Sequence, residues 1–394
     1  MPNEKINVWI IARRFGVHSE TWLYRQATGF SSLNPSVVCW KYVNREEFPT
    51  SNLTVHELPP GLSTSSKLKQ WRSKVASIFT GNCFGASKEE KAHLLRYAQK
   101  ETPKVMLCHY GSIGLLALSA AKALAVPLVV HFHGADISAK LKDRWYLHSL
   151  RRSLPHFAAC VVVAEYQRET LINLGCDPAK IHIIPCGVPI PNQTTTTKDQ
   201  ELCKFLMVGR LVQKKAPLLT IKAFARCYAN HSNINLDIIG DGPLMADAQA
   251  LVSKLKLGHV VTFKGVRSPQ FVVETMRNSS VFLQHSITAE NGDMEGWPVS
   301  IAEAMSLGLP VVSTRHAGIT QQVDEDRNGF LVDENDEAAM SHRMQDLVCN
   351  PTLCAQMGIS AKTKAIRDFD VIEKISNIEK LLLEISHNAK TTST

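Results

Sequence analysis

Short apolar runs rich in β-branched residues recur along the chain, and most of them do not alternate. INVWII (6–11), KVMLCH (104–109), PLVVHF (127–132) and CVVVA (160–164) lie in the first half. KFLMVG (204–209), NLDIIG (235–240), VFLQH (281–285) and PVVST (310–314) lie in the second. A strand with one wet face would alternate; a run that is apolar throughout needs cover on both faces, as in a parallel sheet flanked by helices. Helical segments do lie between these runs, among them SIGLLALSAAKALA (112–125), PLLTIKAFARCYAN (217–230), PLMADAQALVSKLK (243–256) and PVSIAEAMSLG (298–308). Strand and helix in alternation predict doubly wound α/β domains.

The pattern breaks once, at VPIPNQTTTTKDQEL (188–202), a polar stretch without apolar period that reads as an exposed linker. A chain of 394 residues is long enough for two domains, here residues 1–190 and 201–370 with 191–200 as the linker. VIEKISNIEKLLLEIS (371–386) has apolar residues at helical spacing and predicts a last amphipathic helix over 371–388. The apolar stretch 111–132 is interrupted by Lys122 and Pro127 and divides into a helix and a strand rather than a membrane span. The N-terminus lacks a signal-peptide core. The ten cysteines form no C-x-x-C pair and mostly sit in apolar runs, as buried thiols do in a reducing compartment. These features predict a cytoplasmic protein. A net charge of +8 favours an anionic partner without choosing among nucleic acid, lipid and nucleotide.

Two segments carry chemistry. In GRLVQKKAP (209–217) a strand ends at Gly209, Arg210, Lys214 and Lys215 follow, and Pro217 opens a helix. A helix N-terminus with a planar guanidinium and a lysine beside it suits a diphosphate; a solvated basic turn is the plain alternative. The Walker A spacing is absent. In GDMEGWPVSIAEAMSLG (292–308) Glu295 lies in a loop before a helix opened by Pro298 and closed by Gly308. Glu303 lies five residues into that helix, about 7.5 Å along its axis. Carboxylates accept pairs of hydrogen bonds from vicinal hydroxyls and so suit sugars and riboses. A helix-dipole partner at Glu295 and an ion-paired surface Glu303 are the plain alternatives.

Taken together, GRLVQKK, IIGDGPL, VTFKGV, GDMEGWPVSIAEAMSLGLPVVSTRHAGI and NGFLV, in that order, resemble the C-terminal domain of the family-4 retaining glycosyltransferases. The two glutamates with seven residues between them are the most specific part of the likeness. GDMEGWPVSIAEAM looks like the transferases that build bacterial exopolysaccharides such as colanic acid and amylovoran. The resemblance implies the GT-B architecture, two Rossmann-like domains facing a cleft, with the C-terminal helix crossing back to the N-terminal domain. It implies that Arg210 and Lys215 neutralise the donor diphosphate, that Glu303 binds the ribose and that Glu295 binds the donor sugar. Gly209, Gly296 and Pro298 would complete the donor site, and the backbone at Val266 and Arg267 would meet the base.

In the N-terminal half the resemblance is weaker. FHGADIS (132–138) places His133 and Gly134 after a strand, where the family often has a histidine near the transferred sugar and the acceptor. FGVHSETW (15–22) resembles the family loop F-P-x-x-S-E-T-F and points to Ser19 and Glu20 on the acceptor side, with Gly16 facing the donor. Three departures stand out: Ala216 in place of a glycine, Gly16 in place of the loop proline, and Thr320-Gln321 where Pro-Glu is customary.

The expectation is therefore a retaining transferase that moves a hexose from a UDP- or GDP-sugar to a hydroxyl of a glycan or polyprenyl-diphosphate-linked acceptor. With no Asp-x-Asp motif, neither cofactor nor metal is expected. KLKQWRSK (67–74) and KLKDRWYLHSLRRSL (140–154) set cations beside aromatics and suit an anionic surface on the inner face of the plasma membrane. A sugar-nucleotide epimerase shares the fold and is the nearest alternative. A nucleic-acid-binding protein would fit the charge, but no RNP, KH or helix-turn-helix pattern is present and the glutamate pair would be unexplained.

Overall fold

The computed structural model describes residues 5–51, 53–59, 84–191 and 202–391. All of the linker 191–200 but Pro191, and the segment KLKQWRSK with Trp71, lie outside the described residues. The chain divides into two compact units, Met1–Pro185 with Ile372–Thr394, and Cys186–Val371.

The first unit holds a parallel sheet. Its strands are β1 (Ile6–Phe15), β2 (Leu33–Tyr42), β3 (Thr54–Glu57), β4 (Val105–His109), β5 (Leu128–His131), β6 (Ala159–Val162) and β7 (Ile181–Ile183). They run in the order β3-β2-β1-β4-β5-β6-β7, every pair parallel. The centre of β1, Val8 to Ala12, is fully buried, as its lack of alternation requires. Residues 111–132 form the helix Gly111–Leu124 and the strand β5. No helix among the described residues is long and apolar enough to cross a membrane.

The second unit repeats the architecture with β8 (Cys203–Val208), β9 (Ile234–Ile239), β10 (Val261–Gly265), β11 (Val281–Gln284), β12 (Val311–Thr314) and β13 (Gly329–Val332). The order is β10-β9-β8-β11-β12-β13, again all parallel. It starts ahead of the polar stretch because Val188 is buried in its core. Val188 donates its N–H to the Phe369 carbonyl (2.8 Å) and accepts from the Val371 N–H (3.1 Å).

Both sheets change direction once. In the first the switch lies at β1 and β4, in the second at β8 and β11. In open parallel sheets ligands bind beyond the C-terminal ends of the strands at such a switch. Each unit places a polar cluster there.

Candidate functional site

In the second unit β8 ends at Val208 and the chain turns through Gly209 at φ 149°. A Cβ at Gly209 would stand 3.0 Å from Cδ and 3.1 Å from Cε of Lys215, so the lysine stem lies across the glycine. A short 3-10 turn, Gln213–Lys215, ends at Ala216, which takes the left-handed conformation (φ 36°, ψ 55°) before Pro217 opens the helix Pro217–Tyr228. That conformation costs an alanine about 1–2 kcal/mol and a glycine almost nothing, which gives the first departure from the family pattern a backbone meaning.

The turn delivers two lysines to one carboxylate. Lys215 Nζ stands 2.6 Å from Glu295 Oε2 and 3.3 Å from Gln284 Oε1. Lys214 Nζ meets Asp293 Oδ1 (3.2 Å), the Met294 carbonyl (3.3 Å) and Glu295 Oε1 (3.9 Å). Glu295 is only 8% exposed. Burial pushes its carboxyl up, but the charges of Lys215 and Lys214 and the Lys215 hydrogen bond outweigh that and hold it at about 2. It is therefore an anion throughout the neutral range.

The loop carrying Glu295 is pinned on several sides. Its N–H donates to His316 Nε2 (3.0 Å), the Trp297 indole to the Cys186 carbonyl (3.2 Å), and Gln322 Nε2 to the Pro298 carbonyl (3.2 Å). Gly296 and Pro298 are buried, and Pro298 is the N-cap of the helix Val299–Ser306. Glu303 stands half-buried on the second turn of that helix. Ser300 Oγ and Lys215 share Gln284 Oε1, which ties the helix start to the lysine.

Arg210 is exposed and makes no ion pair among the described residues. Val266 is 57% exposed just past β10, and the Arg267 guanidinium lies over Phe271, 5.3 Å from the ring centre. The structure thus joins Lys215 and Glu295 directly and sets Arg210, Val266 and Arg267 at the same edge of the sheet. Thr320 and Gln321 are exposed on the short helix Ile319–Gln322. Gln284, His316 and Glu334 were not singled out from the sequence, and Lys214 was named there only as one of the cations that follow Gly209. A polar residue closing an apolar strand, as Gln284 does in VFLQH, is the signal that was there to use.

The first unit builds its cluster the same way. After β1 the chain turns at Gly16, φ 76°, where a Cβ would fall 2.1 Å from the Val43 carbonyl oxygen. Proline, fixed near −65°, cannot take this shape, which explains the second departure. Ser19 is exposed; Glu20 Oε1 accepts from the Tyr110 hydroxyl (2.7 Å). Strands β4 and β5 end in His109 and His131, and His133 follows. His109 Nδ1 and His133 Nε2 are 3.1 Å apart, and the Trp22 ring centre stands 4.0 Å from that of His133. Asp136, fully buried, accepts the N–H groups of His133 (3.1 Å), Gly134 (3.0 Å) and Gly111 (2.9 Å) and so fixes the loop. Burial and mutual repulsion push His109 and His133 well below the usual imidazole value, and burial takes His131 to about 3. All three are neutral at pH 7.

One nitrogen from each of these histidines falls within 4.8 Å of the others. His109 Nε2 makes no hydrogen bond among the described residues, whereas His131 meets the backbone of Ile184. The three imidazoles form a neutral shelf backed by the Trp22 ring.

Comparison with known proteins bears on both units. Residues 56–190 match the model for Glycosyltransferase Family 4, and residues 192–364 match that for Glycosyl transferases group 1. A putative colanic acid biosynthesis glycosyltransferase, WcaL of Salmonella typhimurium, is 30% identical over 68% of this chain and 67% of its own length. The amylovoran biosynthesis glycosyltransferase AmsK of Erwinia amylovora is 29% identical over 68% and 66%. Among solved structures, HepE of Anabaena in complex with UDP-glucose superposes with a TM-score of 0.76 at 17% identity, over 96% of this chain and 100% of that one. Sucrose-phosphate synthase of Thermosynechococcus elongatus gives 0.75 at 15%, over 97% and 99%. At such identities the structural likeness establishes the fold, the GT-B class.

Proposed function

The chain belongs to the glycosyltransferases, and we propose that it transfers a hexose, with retention of anomeric configuration and without a metal, from a UDP- or GDP-sugar to an acceptor hydroxyl. The observation that carries this reading is the Lys215–Glu295 pair, largely buried at the switch point of the second sheet, with Arg210 exposed at the same sheet edge and making no ion pair among the described residues. Arg210 and Lys215 neutralise the diphosphate and stabilise its negative charge as it leaves, the largest contribution such a site makes. Glu295 accepts hydroxyls of the sugar, Glu303 those of the ribose, and the backbone at Val266 and Arg267 meets the base. The acceptor oxygen bonds to the anomeric carbon on the face from which the phosphate departs, and the acceptor proton passes to a phosphate oxygen. In the first unit His133, neutral and backed by Trp22, can serve a polar ligand with a hydrogen bond without adding charge.

Two relatives named for colanic acid and amylovoran biosynthesis support a role in building surface polysaccharide. A further relative of Escherichia coli, 26% identical over 75% of this chain and 79% of its own length, is named for adding galactose to a diphosphoundecaprenol-linked sugar, which supports a lipid-linked acceptor. The exposed cations of the segment Lys140 to Arg152 would bring the protein to an anionic bilayer holding that acceptor.

The test is turnover of a panel of UDP- and GDP-sugars, with product anomers read by NMR, in EDTA and in added Mg²⁺ or Mn²⁺. Retained configuration and unchanged rate in EDTA are expected. Inverted product, or a loss in EDTA that metal restores, would overturn the respective part of the proposal.

A further inference from the structure

Glu295 can serve a sugar only if its loop stays put, and one buried histidine holds the loop's backbone. His316 follows β12 in the turn after Thr314, and its residue surface is only 1% exposed. Its Nε2 faces the Glu295 N–H at 3.0 Å. An amide N–H can only donate, so Nε2 is the bare acceptor and the proton sits on Nδ1. Nδ1 in turn stands 2.6 Å from Glu334 Oε1, the acceptor that this tautomer needs. Glu334 also accepts from the Thr288 N–H (2.8 Å) and hydroxyl (3.4 Å). Burial raises its carboxyl, but the Thr288 N–H and His316 outweigh that and hold it below the usual value. Thr288, Glu334, His316 and Glu295 thus form one chain linking the ends of β11, β12 and β13 to the loop beside Lys215.

We propose that His316 is a positioning residue for sugar transfer, with Glu334 fixing its tautomer so that the Glu295 backbone, and through it the Glu295 carboxylate, is held where the donor sugar docks. The proposal rests on the glycosyltransferase reading given above. Misplacing a substrate-orienting group by about 1 Å can cost on the order of a hundredfold in rate. Holding that group costs nothing in nucleotide binding, because the pinned residue serves the sugar and not the nucleoside diphosphate.

Two substitutions separate the two nitrogens. In His316→Gln the amide oxygen reaches the place of Nε2 and can still accept the Glu295 N–H. In His316→Asn the shorter amide reaches only the place of Nδ1, keeps Glu334 and leaves the Glu295 N–H bare. Hydrogen exchange of the segment 292–297 in the donor-free protein should rise in His316→Asn and stay near the parent rate in His316→Gln. Turnover should fall about tenfold or more in the Asn variant and recover most of the way in the Gln variant, while UDP affinity stays within about twofold in both. Equal exchange in the two variants, or equal loss of UDP binding, overturns the proposal. If the parent protein transfers no sugar from any donor, the functional reading fails, and the exchange comparison still decides whether His316 holds the loop. Should the Asn variant not fold, Glu334→Gln replaces it: the Glu295 segment should again exchange faster, and unchanged exchange overturns the proposal equally.

Discussion

Glu295 and Glu303 differ in surroundings more than in sequence. Glu295 is buried, ion-paired to Lys215 and held as an anion, whereas Glu303 stands half-buried on a helix turn beyond it. Their substitutions should fail differently. Glu303→Ala should weaken UDP or GDP binding by about tenfold to a hundredfold, the worth of one charge-assisted pair at roughly 1.5–3 kcal/mol. Glu295→Ala should leave that affinity within about threefold and lower turnover by on the order of a hundredfold, because its bonds tighten as the glycosidic bond breaks. Calorimetry followed by turnover checks this; equal loss of nucleotide binding in both folded variants would contradict the assignment. The two glutamates were visible in the sequence because their spacing is specific. His316 was not, because its role is a hydrogen bond to a backbone N–H twenty-one positions away, and no side-chain pattern records that. Gly16 and Ala216 were visible as departures, but their reason lies in φ values that only the folded chain displays.

At the level of the element, the buried strands were legible and the edges less so. The central strands are apolar on both faces and announce themselves. β3 is half-exposed at the edge of its sheet, and its four residues TVHE carry no apolar run. β13, likewise an edge strand in the second sheet but buried along its length, is as short and was visible only within the motif NGFLV. The imidazoles at the ends of β4 and β5 carry an energetic consequence. Burial takes His131 to about 3, and burial, partly opposed by Asp336, Glu334 and Glu337, takes His285 beyond β11 to about 4. A histidine whose folded value lies below the ordinary 6.5 binds its proton more readily when unfolded. Its effect on stability is nil well above pH 6.5, and stability is lost as pH falls from there toward the folded value, at up to about 1.4 kcal/mol per pH unit for each such group. Unfolding midpoints measured in denaturant from pH 7.5 to 5 should therefore drop steadily. His131→Gln should make the slope shallower by about one proton's worth, and an unchanged slope would show that His131 is not held neutral.

For the whole molecule, the last helix decides where the first unit ends. Ile375, Ile378, Leu381 and Leu382 are buried, and the rest of the unit that contains Ile372–Thr394 is Met1–Pro185. The Glu379 carboxylate accepts from the Ser31 hydroxyl (2.9 Å), the Ser32 N–H (2.5 Å) and the Leu33 N–H (3.1 Å), holding the turn that enters β2. Amphipathic spacing marked this helix in the sequence; that it joins the first unit was implied only by the family resemblance and could not be read from the spacing. Glu379→Ala would leave the buried Leu33 N–H unpaired, at about 1–3 kcal/mol, and would release the more exposed Ser32 N–H to water. Removing residues 372–394 would strip four buried aliphatic side chains, each worth about 1.5–3 kcal/mol, a sum comparable to the whole stability of a domain. The unit Cys186–Val371 keeps its own core in either case. Five of the six tryptophans, all but Trp297, precede residue 186, so their fluorescence reports mainly on the first unit. The Glu379→Ala midpoint by fluorescence should fall while UDP affinity is retained. In the truncated chain, hydrogen exchange should rise across residues 5–185 and remain slow in the second sheet. A truncated chain protected as fully as the parent would show that the helix does not complete the first unit.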